Sequence, residues 1–381
     1  MRLAERLDRL PPYPFEELKA KLKSKGKELI DFTIGDPDLP TPPFIIEEMI
    51  RYAKLPSNHR YPLSLGEKEL RGAIADWYKI RFGVDLAPDK EIIILIGSKE
   101  GFCNLIRACL DPGSKVLVPD PGYPAYMGSV LLADCEPVRI PLLEASDFMP
   151  DLSSKSNAQM LILNYPNNPT GSVADLNFLK EVVDWARDNK LIICYDNAYS
   201  ELTYDGYKAP SLFEVEESKS IGVEFNTCSK TFNMTGDRIG WAVGNEELID
   251  GLRKVKEQID SGVPTYIQRA AIKALRSYQS CPSKTPDFLK RNINEYKKRG
   301  DLLVEGLNSL GIACTKPKGT FYVWLKCPTR STEWVNKLLE LSIAVTPGPV
   351  FGEKGKGWVR FSLTQPRERI KEALERISTL L

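Results

Sequence analysis

The sequence predicts an α/β protein: a large domain with a mostly parallel sheet covered by helices, plus a smaller α+β domain. Three observations carry that expectation. Short β-branched runs alternate with helical stretches through the middle of the chain, the order of strands joined by crossover helices. The runs are nearly continuous in apolar residues, as strands covered on both faces are. At 381 residues the chain also exceeds what one small core uses.

Taken in order, residues 1–45 read as an arm. Leu3, Leu7 and Leu10 make a short amphipathic piece, then Pro11, Pro12, Pro14, Pro37, Pro40, Pro42 and Pro43 forbid a continuing helix. Strands are expected at 91–96, 115–118, 160–164, 191–195, 222–227 and 239–243. Between them Leu176, Leu179, Val183 and Ala186 recur at three-to-four spacing, an amphipathic helical face. A last helix comes after Pro366, with Ile370, Leu374, Ile377 and Leu381 on one side. The expected division is a large domain over 46–265 and a small domain built from 266–381 together with the arm, 1–45.

Composition narrows the function. Lys and Arg number 52 against 51 Asp and Glu, so the chain lacks the net basic field that nucleic acid or a membrane surface calls for. No apolar run approaches the ~18 residues of a membrane span. The opening Met-Arg-Leu-Ala-Glu-Arg-Leu-Asp is too charged for a signal peptide. None of the eight cysteines stands in a C-x-x-C pair, so free thiols in a reducing, cytoplasmic compartment are expected. A single histidine, His59, argues against a histidine metal site or a Ser-His-Asp triad and reads as a solvated loop residue; no metal is expected. Gly352 to Gly357 lacks phosphate-loop spacing and reads as a mobile surface turn.

The informative residues come directly after the expected strands, where open parallel sheets bind ligands. Gly97-Ser98-Lys99 succeeds the first, Asn164-Tyr-Pro-Asn-Asn168-Pro-Thr-Gly171 the third, Asp196-Asn-Ala-Tyr199 the fourth, and Ser229-Lys230 through Arg238 the fifth. Singly, each has an ordinary reading. Asp196 could cap a helix, Asn168-Pro-Thr-Gly could be a turn, Lys230 a surface lysine, Tyr123 turn packing, and Arg360 a strand residue facing water. Together they bring an amine, a carboxylate, a guanidinium, an amide and a phenol to one sheet edge. Pyridoxal phosphate uses such a set: a lysine for its aldehyde and a carboxylate for its pyridine nitrogen. Its phosphate suits a helix N-terminus and a cation, here Ser98 and Arg238.

The strings N-x-P-N-N-P-T-G, D-x-x-Y and S-K-T-F-N-M-T-G-x-R-x-G, in that order, resemble the class I/II aminotransferases of the fold-type I pyridoxal-phosphate enzymes. The likeness runs from Thr33 to Ser362. It implies that Lys230 holds the cofactor aldehyde and moves the substrate α-proton, that Asp196 pairs with the ring nitrogen, and that Tyr199 and Asn168 bind the ring oxygen. It implies Tyr123 stacked on the ring, and Ser98, Lys99, Thr227, Ser229 and Arg238 around the phosphate. Tyr61 would reach that phosphate from the neighbouring subunit of a homodimer. Arg360 would grip the α-carboxylate, helped by the Gly35 backbone. Pro12 to Leu18, Gly97 to Gly101, Pro119 to Pro124 and Asp260 to Val263 are further similar to segments of the LL-diaminopimelate aminotransferases. That likeness implies amino transfer between LL-2,6-diaminopimelate and 2-oxoglutarate in lysine biosynthesis, with Tyr13, Gly35, Lys99, Tyr123, Asn168 and Arg360 facing the substrate. The chain departs from those relatives after Tyr61, where Pro-Leu-Ser-Leu replaces a stretch that often carries an acid for the distal ammonium, and at Asp237, where tryptophan is common. Aspartate, alanine or aromatic aminotransferases and a lyase of the same fold stay open. A cofactor-sensing transcription regulator would need an added DNA-binding domain and a basic surface, neither of which is visible.

Overall fold

The computed structural model describes residues 3–11, 28–279, 281 and 285–380. The strands, in chain order, are β1 (Ile30–Asp31), β2 (Ile92–Leu95), β3 (Lys115–Asp120), β4 (Glu136–Pro141), β5 (Met160–Asn164), β6 (Ile192–Asp196), β7 (Gly222–Thr227), β8 (Gly240–Gly244), β9 (Tyr322–Lys326), β10 (Ile343–Ala344), β11 (Thr346–Pro347) and β12 (Trp358–Ser362). Seven of them form one sheet in the order β2-β8-β7-β6-β5-β3-β4. Neighbours run parallel except that β8 is antiparallel to both β2 and β7. Side-chain alternation splits the core in two. Ile93, Leu95, Val116, Ile162, Cys194 and Phe225 face one helical layer. Ile92, Ile94, Leu117, Leu161, Ile193 and Trp241 face the other.

The expected helix appears as Leu176–Asp188, capped by Asp175, whose carboxylate accepts the Phe178 N–H. Leu179, Val182, Val183 and Ala186 form its buried face. The last helix is Arg367–Ser378, with Pro366 at its N-cap and Ile370, Ala373 and Ile377 buried. Two features of the sheet differ from expectation. Strand β4 is not predicted by the sequence pattern, because Glu-Pro-Val-Arg-Ile-Pro mixes prolines and charges; it is an edge strand, where a missing donor and a charged side chain are tolerated. Strand β8 returns antiparallel because only one short helix, Cys228–Thr231, lies between it and β7, too little for a crossover.

The chain ends build a second group of elements. A three-stranded antiparallel sheet, β11-β12-β9, is accompanied by the helices Asp287–Ser309 and Arg367–Ser378, which pack on each other. The arm enters here: β1 pairs in parallel with β10, and the Phe32 carbonyl accepts the Ser362 N–H. Helix Thr265–Arg276 packs instead on Pro43–Ala53 and Lys68–Phe82.

All eight cysteines are free. His59 ends a short 3-10 turn, is exposed, and its Nε2 lies 2.6 Å from the Ala53 carbonyl. Among the described residues no group of metal ligands assembles and no helix is long and apolar enough to cross a membrane. The Gly352 to Gly357 turn is anchored rather than free, since the Lys354 N–H donates to Asp120 Oδ1 at 2.9 Å and Gly355 is buried.

Candidate active site

One edge of the large sheet collects the ends of β2, β5, β6 and β7 and the start of antiparallel β8, because Leu95 and Thr227 both pair with Gly240. A cleft of about 490 Å³ opens there, closed on the far side by β9, β12 and the arm.

Its floor is the Asp196 carboxylate. Oδ2 accepts the Tyr126 hydroxyl at 2.7 Å and Oδ1 the Ala198 N–H at 3.2 Å. Burial pushes this acid up to about 6, against the pull of Tyr126, Ala198 and Lys230. A buried anion short of a full counter-charge stabilises any cation placed against it. Asn164 braces the neighbourhood, donating to the Asp196 carbonyl at 2.9 Å and accepting the Asn168 N–H at 2.9 Å. Behind the turn, Asn197 donates to the buried Glu224 carboxylate at 3.2 Å.

Lys230 sits in the one-turn helix after β7, and its Nζ donates to the Gly35 carbonyl at 2.8 Å. It keeps some accessible surface as a cleft-lining residue, yet burial dominates its titration. The amine is pushed down to about 8: Asp36 and Asp196 oppose the fall, while Arg360 and Arg238 add to it. An amine so placed is part neutral near pH 7, hence a usable nucleophile and base.

One end of the cleft suits an anion. Helix Ser98–Cys109 starts at Gly97 (φ +95°) without a side-chain cap, leaving backbone donors and the positive helix end facing the cleft. Gly97 adopts a φ that residues with side chains rarely take, and a Cβ there, 2.3 Å from Arg238 Nη2, would also displace that guanidinium. Arg238 (φ +52°) is fixed by donating to the Thr235 and Ile96 carbonyls at 2.7 and 3.1 Å. Thr227 Oγ1 donates to Ser229 Oγ at 3.0 Å beside them.

The other end is Arg360 on β12, 1% exposed and therefore no solvent-facing strand residue. Nη1 donates to Asn168 Oδ1 at 2.9 Å and Nη2 to the Thr33 carbonyl at 3.0 Å. The guanidinium lies 4.1 Å over the Tyr322 ring, and Tyr322 shares a 3.0 Å hydrogen bond with the Tyr199 hydroxyl. Burial and the Tyr322 hydroxyl hold Tyr199 well above the usual phenol range.

Gly35, Ser98, Lys99, Tyr123, Asn168, Asp196, Tyr199, Thr227, Ser229, Lys230, Arg238 and Arg360 thus all line one cleft. Tyr61 does not; it stands 91% exposed outside it. Tyr13 lies outside the described residues. Sequence reasoning missed Tyr126, Asn164 as a brace, Asp36, Thr33 and Tyr322. Tyr126 could have been suspected, standing one turn into the helix that Tyr123 opens, and Asn164 belonged to a motif already singled out. Tyr322 carried no signal.

The family model for aminotransferase class I and II matches residues 27–377. The chain belongs to that family. Among relatives of this aminotransferase, an LL-diaminopimelate aminotransferase of Halothermothrix orenii is 47% identical over 388 residues, covering 99% of this chain and 98% of its own. One of Moorella thermoacetica is 44% identical over 392 residues, covering 100% and 99%. Among solved structures, substrate-bound BacF from Bacillus subtilis superposes with a TM-score of 0.94 at 34% identity, covering 100% and 98%. Aspartate aminotransferase from Thermus thermophilus with maleate gives 0.92 at 30%, covering all of both chains. The aminotransferase thus shares its whole length with these proteins.

Proposed function

We propose that this aminotransferase works with pyridoxal 5'-phosphate and moves an amino group between LL-2,6-diaminopimelate and 2-oxoglutarate, in lysine biosynthesis. When bound, that cofactor supplies an aldehyde that exchanges amines and a ring that accepts electrons from the amino acid's α-carbon. The observation that carries the cofactor is the pairing of a depressed amine, Lys230, with a buried acid, Asp196, in the same cleft. The cleft fits the group at each point. Asp196 meets the need of a protonated ring nitrogen. The uncapped helix end, Arg238, Thr227 and Ser229 meet that of a phosphate, with Ser98 and Lys99 beside them. Tyr123 offers a ring face, and Tyr199 and Asn168 offer polar contacts for the ring oxygen.

In this reading Arg360 grips the donor's α-carboxylate with the Gly35 backbone beside it, Nζ of Lys230 takes the α-proton, and Asp196 stays ionised. Support for the substrate comes from the named relatives at 43–47% identity. Lys99 and Tyr123, which line the same cleft, would then also face the substrate. A homodimer is part of the proposal. Tyr61 and Leu63, 91% and 68% exposed, and the exposed Ile46, Ile50 and Leu55 all fall in one stretch of the chain, an excess of exposed apolar side chains that a second copy would cover. The cytoplasm suits the free thiols. The two-domain division at 45 and 265 is likewise proposed; the pairing of β1 with β10 supports joining the arm to the C-terminal part, whereas helix Thr265–Arg276, packed on Pro43–Ala53 and Lys68–Phe82, goes with the large domain.

A donor panel with 2-oxoglutarate decides the substrate. LL-diaminopimelate is expected to give the highest kcat/KM; a higher value for aspartate, alanine or phenylalanine would replace it. Borohydride after incubation with pyridoxal phosphate should add the cofactor's mass to the Lys230 peptide and leave a Lys230→Ala variant unlabelled. No label on the wild-type protein would remove the cofactor assignment.

A further inference from the structure

The segment from Asp31 to Thr41 crosses the cleft like a strap. Its first part is bound to β12 and the residues just after that strand: Phe32 through Ser362, Thr33 through Arg360, and the Ile34 carbonyl through Thr364 Oγ1 at 3.2 Å. Its last part is bound to the loop after Lys230, where Asn233 Nδ2 donates to the Pro40 carbonyl at 3.1 Å and Thr41 Oγ1 donates to the Asn233 carbonyl at 2.7 Å. Between the two anchorages the Gly35 carbonyl holds Lys230 Nζ.

One ion pair fixes the crossing. Arg299, in helix Asp287–Ser309, donates from a single nitrogen, Nη1, to both oxygens of Asp38 at 2.8 and 2.9 Å and to the Leu363 carbonyl at 2.9 Å. Its Nε donates to Glu295 at 3.1 Å, and the Tyr296 hydroxyl reaches Asp38 at 3.3 Å. Arg299 has a side chain only 5% exposed, whereas Asp38 retains 28%. The pair therefore joins the strap, helix Asp287–Ser309 and the end of β12 at one guanidinium nitrogen, three residues along the chain from the carbonyl that aims the Lys230 amine.

We propose that Arg299, acting through Asp38, is a positioning residue for Lys230: it holds the strap so that the Gly35 carbonyl orients Nζ towards the donor's α-carbon. This rests on Lys230 being the proton-transfer base. Misplacing a base by ~1 Å can cost about 100-fold, so the loss should fall on the proton-transfer step and less on donor binding, which Arg360 secures by its own contacts.

The test uses the holoenzyme. Arg299→Met and Asp38→Asn should each retain the absorbance of the lysine-bound cofactor and lower kcat by about 10-fold or more, with KM for the donor changing less. The deuterium isotope effect on an α-deuterated donor should increase. Arg299→Lys, which can still offer one nitrogen to Asp38 and Leu363, should recover part of kcat. The double variant should be no slower than Arg299→Met, since the two act as one unit. In cofactor-free protein, exchange of amide hydrogens over residues 33–41 should quicken in Asp38→Asn, a partly exposed site that removes charge with little change of volume. An unchanged isotope effect with unchanged kcat in Asp38→Asn, or strictly additive losses in the double variant, overturns the proposal. Loss of the cofactor absorbance from the wild-type protein itself would instead strike at Lys230.

Discussion

A single amine sets the chemistry, and its titration is open to measurement. Lys230 is pushed down to about 8 chiefly by burial, with Asp36 opposing the fall. Only the neutral amine attacks an aldehyde, so capture of pyridoxal phosphate by cofactor-free protein should be slow below pH 8 and speed up through it. Asp36→Asn removes the charge that favours the ammonium, and the midpoint should move to lower pH; stopped-flow absorbance reads both. A midpoint near that of free lysine, ~10.4, would mean the amine is not desolvated. At the other end of the cleft, Arg360→Lys should raise KM for every amino donor by about 10-fold or more. A lysine's single nitrogen cannot stand in for the two that reach Asn168 and the Thr33 carbonyl, nor fork onto both oxygens of a carboxylate. Steady-state kinetics with two chemically different donors checks it, and an unchanged KM would place the carboxylate elsewhere.

At the scale of elements, helix Ser98–Cys109 must lie close on the sheet if its N-terminus is to face the cleft. Gly101 permits this, because a Cβ there would stand 2.4 Å from Leu95 Cδ1 and 2.7 Å from the Phe225 ring. Gly101→Ala should cost about 1–3 kcal/mol in urea denaturation, the range for overpacking a core. It should also weaken cofactor binding, as the helix end is pushed out. A variant as stable as the parent would show that the helix shifts freely. Local pattern made most elements legible: the apolar face of Leu176–Asp188 and the continuous apolar strands β2 and β5 are direct consequences of it. It could not reveal β4, whose prolines and charges are acceptable only because it lies at the sheet edge, nor the direction of β8, set by the brevity of the loop before it.

At the scale of the molecule, the proposed dimer gives each site a residue from two chains. Sedimentation should give about twice 42.9 kDa. Mixing Lys230→Ala with Tyr61→Ala subunits should create one intact site per heterodimer, combining native Lys230 of one chain with native Tyr61 of the other. Activity regained on mixing, and cofactor affinity restored in that site, would be the sign; no recovery would mean that Tyr61 serves its own chain or no site at all.

The sequence by itself determined which reactive groups come after which strands, because strand order and side-chain chemistry are local properties of the string. Lys230, Asp196, Asn168 and Arg238 could be read in that way. The tertiary structure alone decided what those groups meet. Arg360 is a strand residue like any other until β12 closes over the cleft. Tyr126, Tyr322 and the Asp38–Arg299 pair gain their partners only where distant segments converge. Burial belongs to that convergence too, and it is burial that brings an ordinary lysine to about 8 and an ordinary aspartate to about 6.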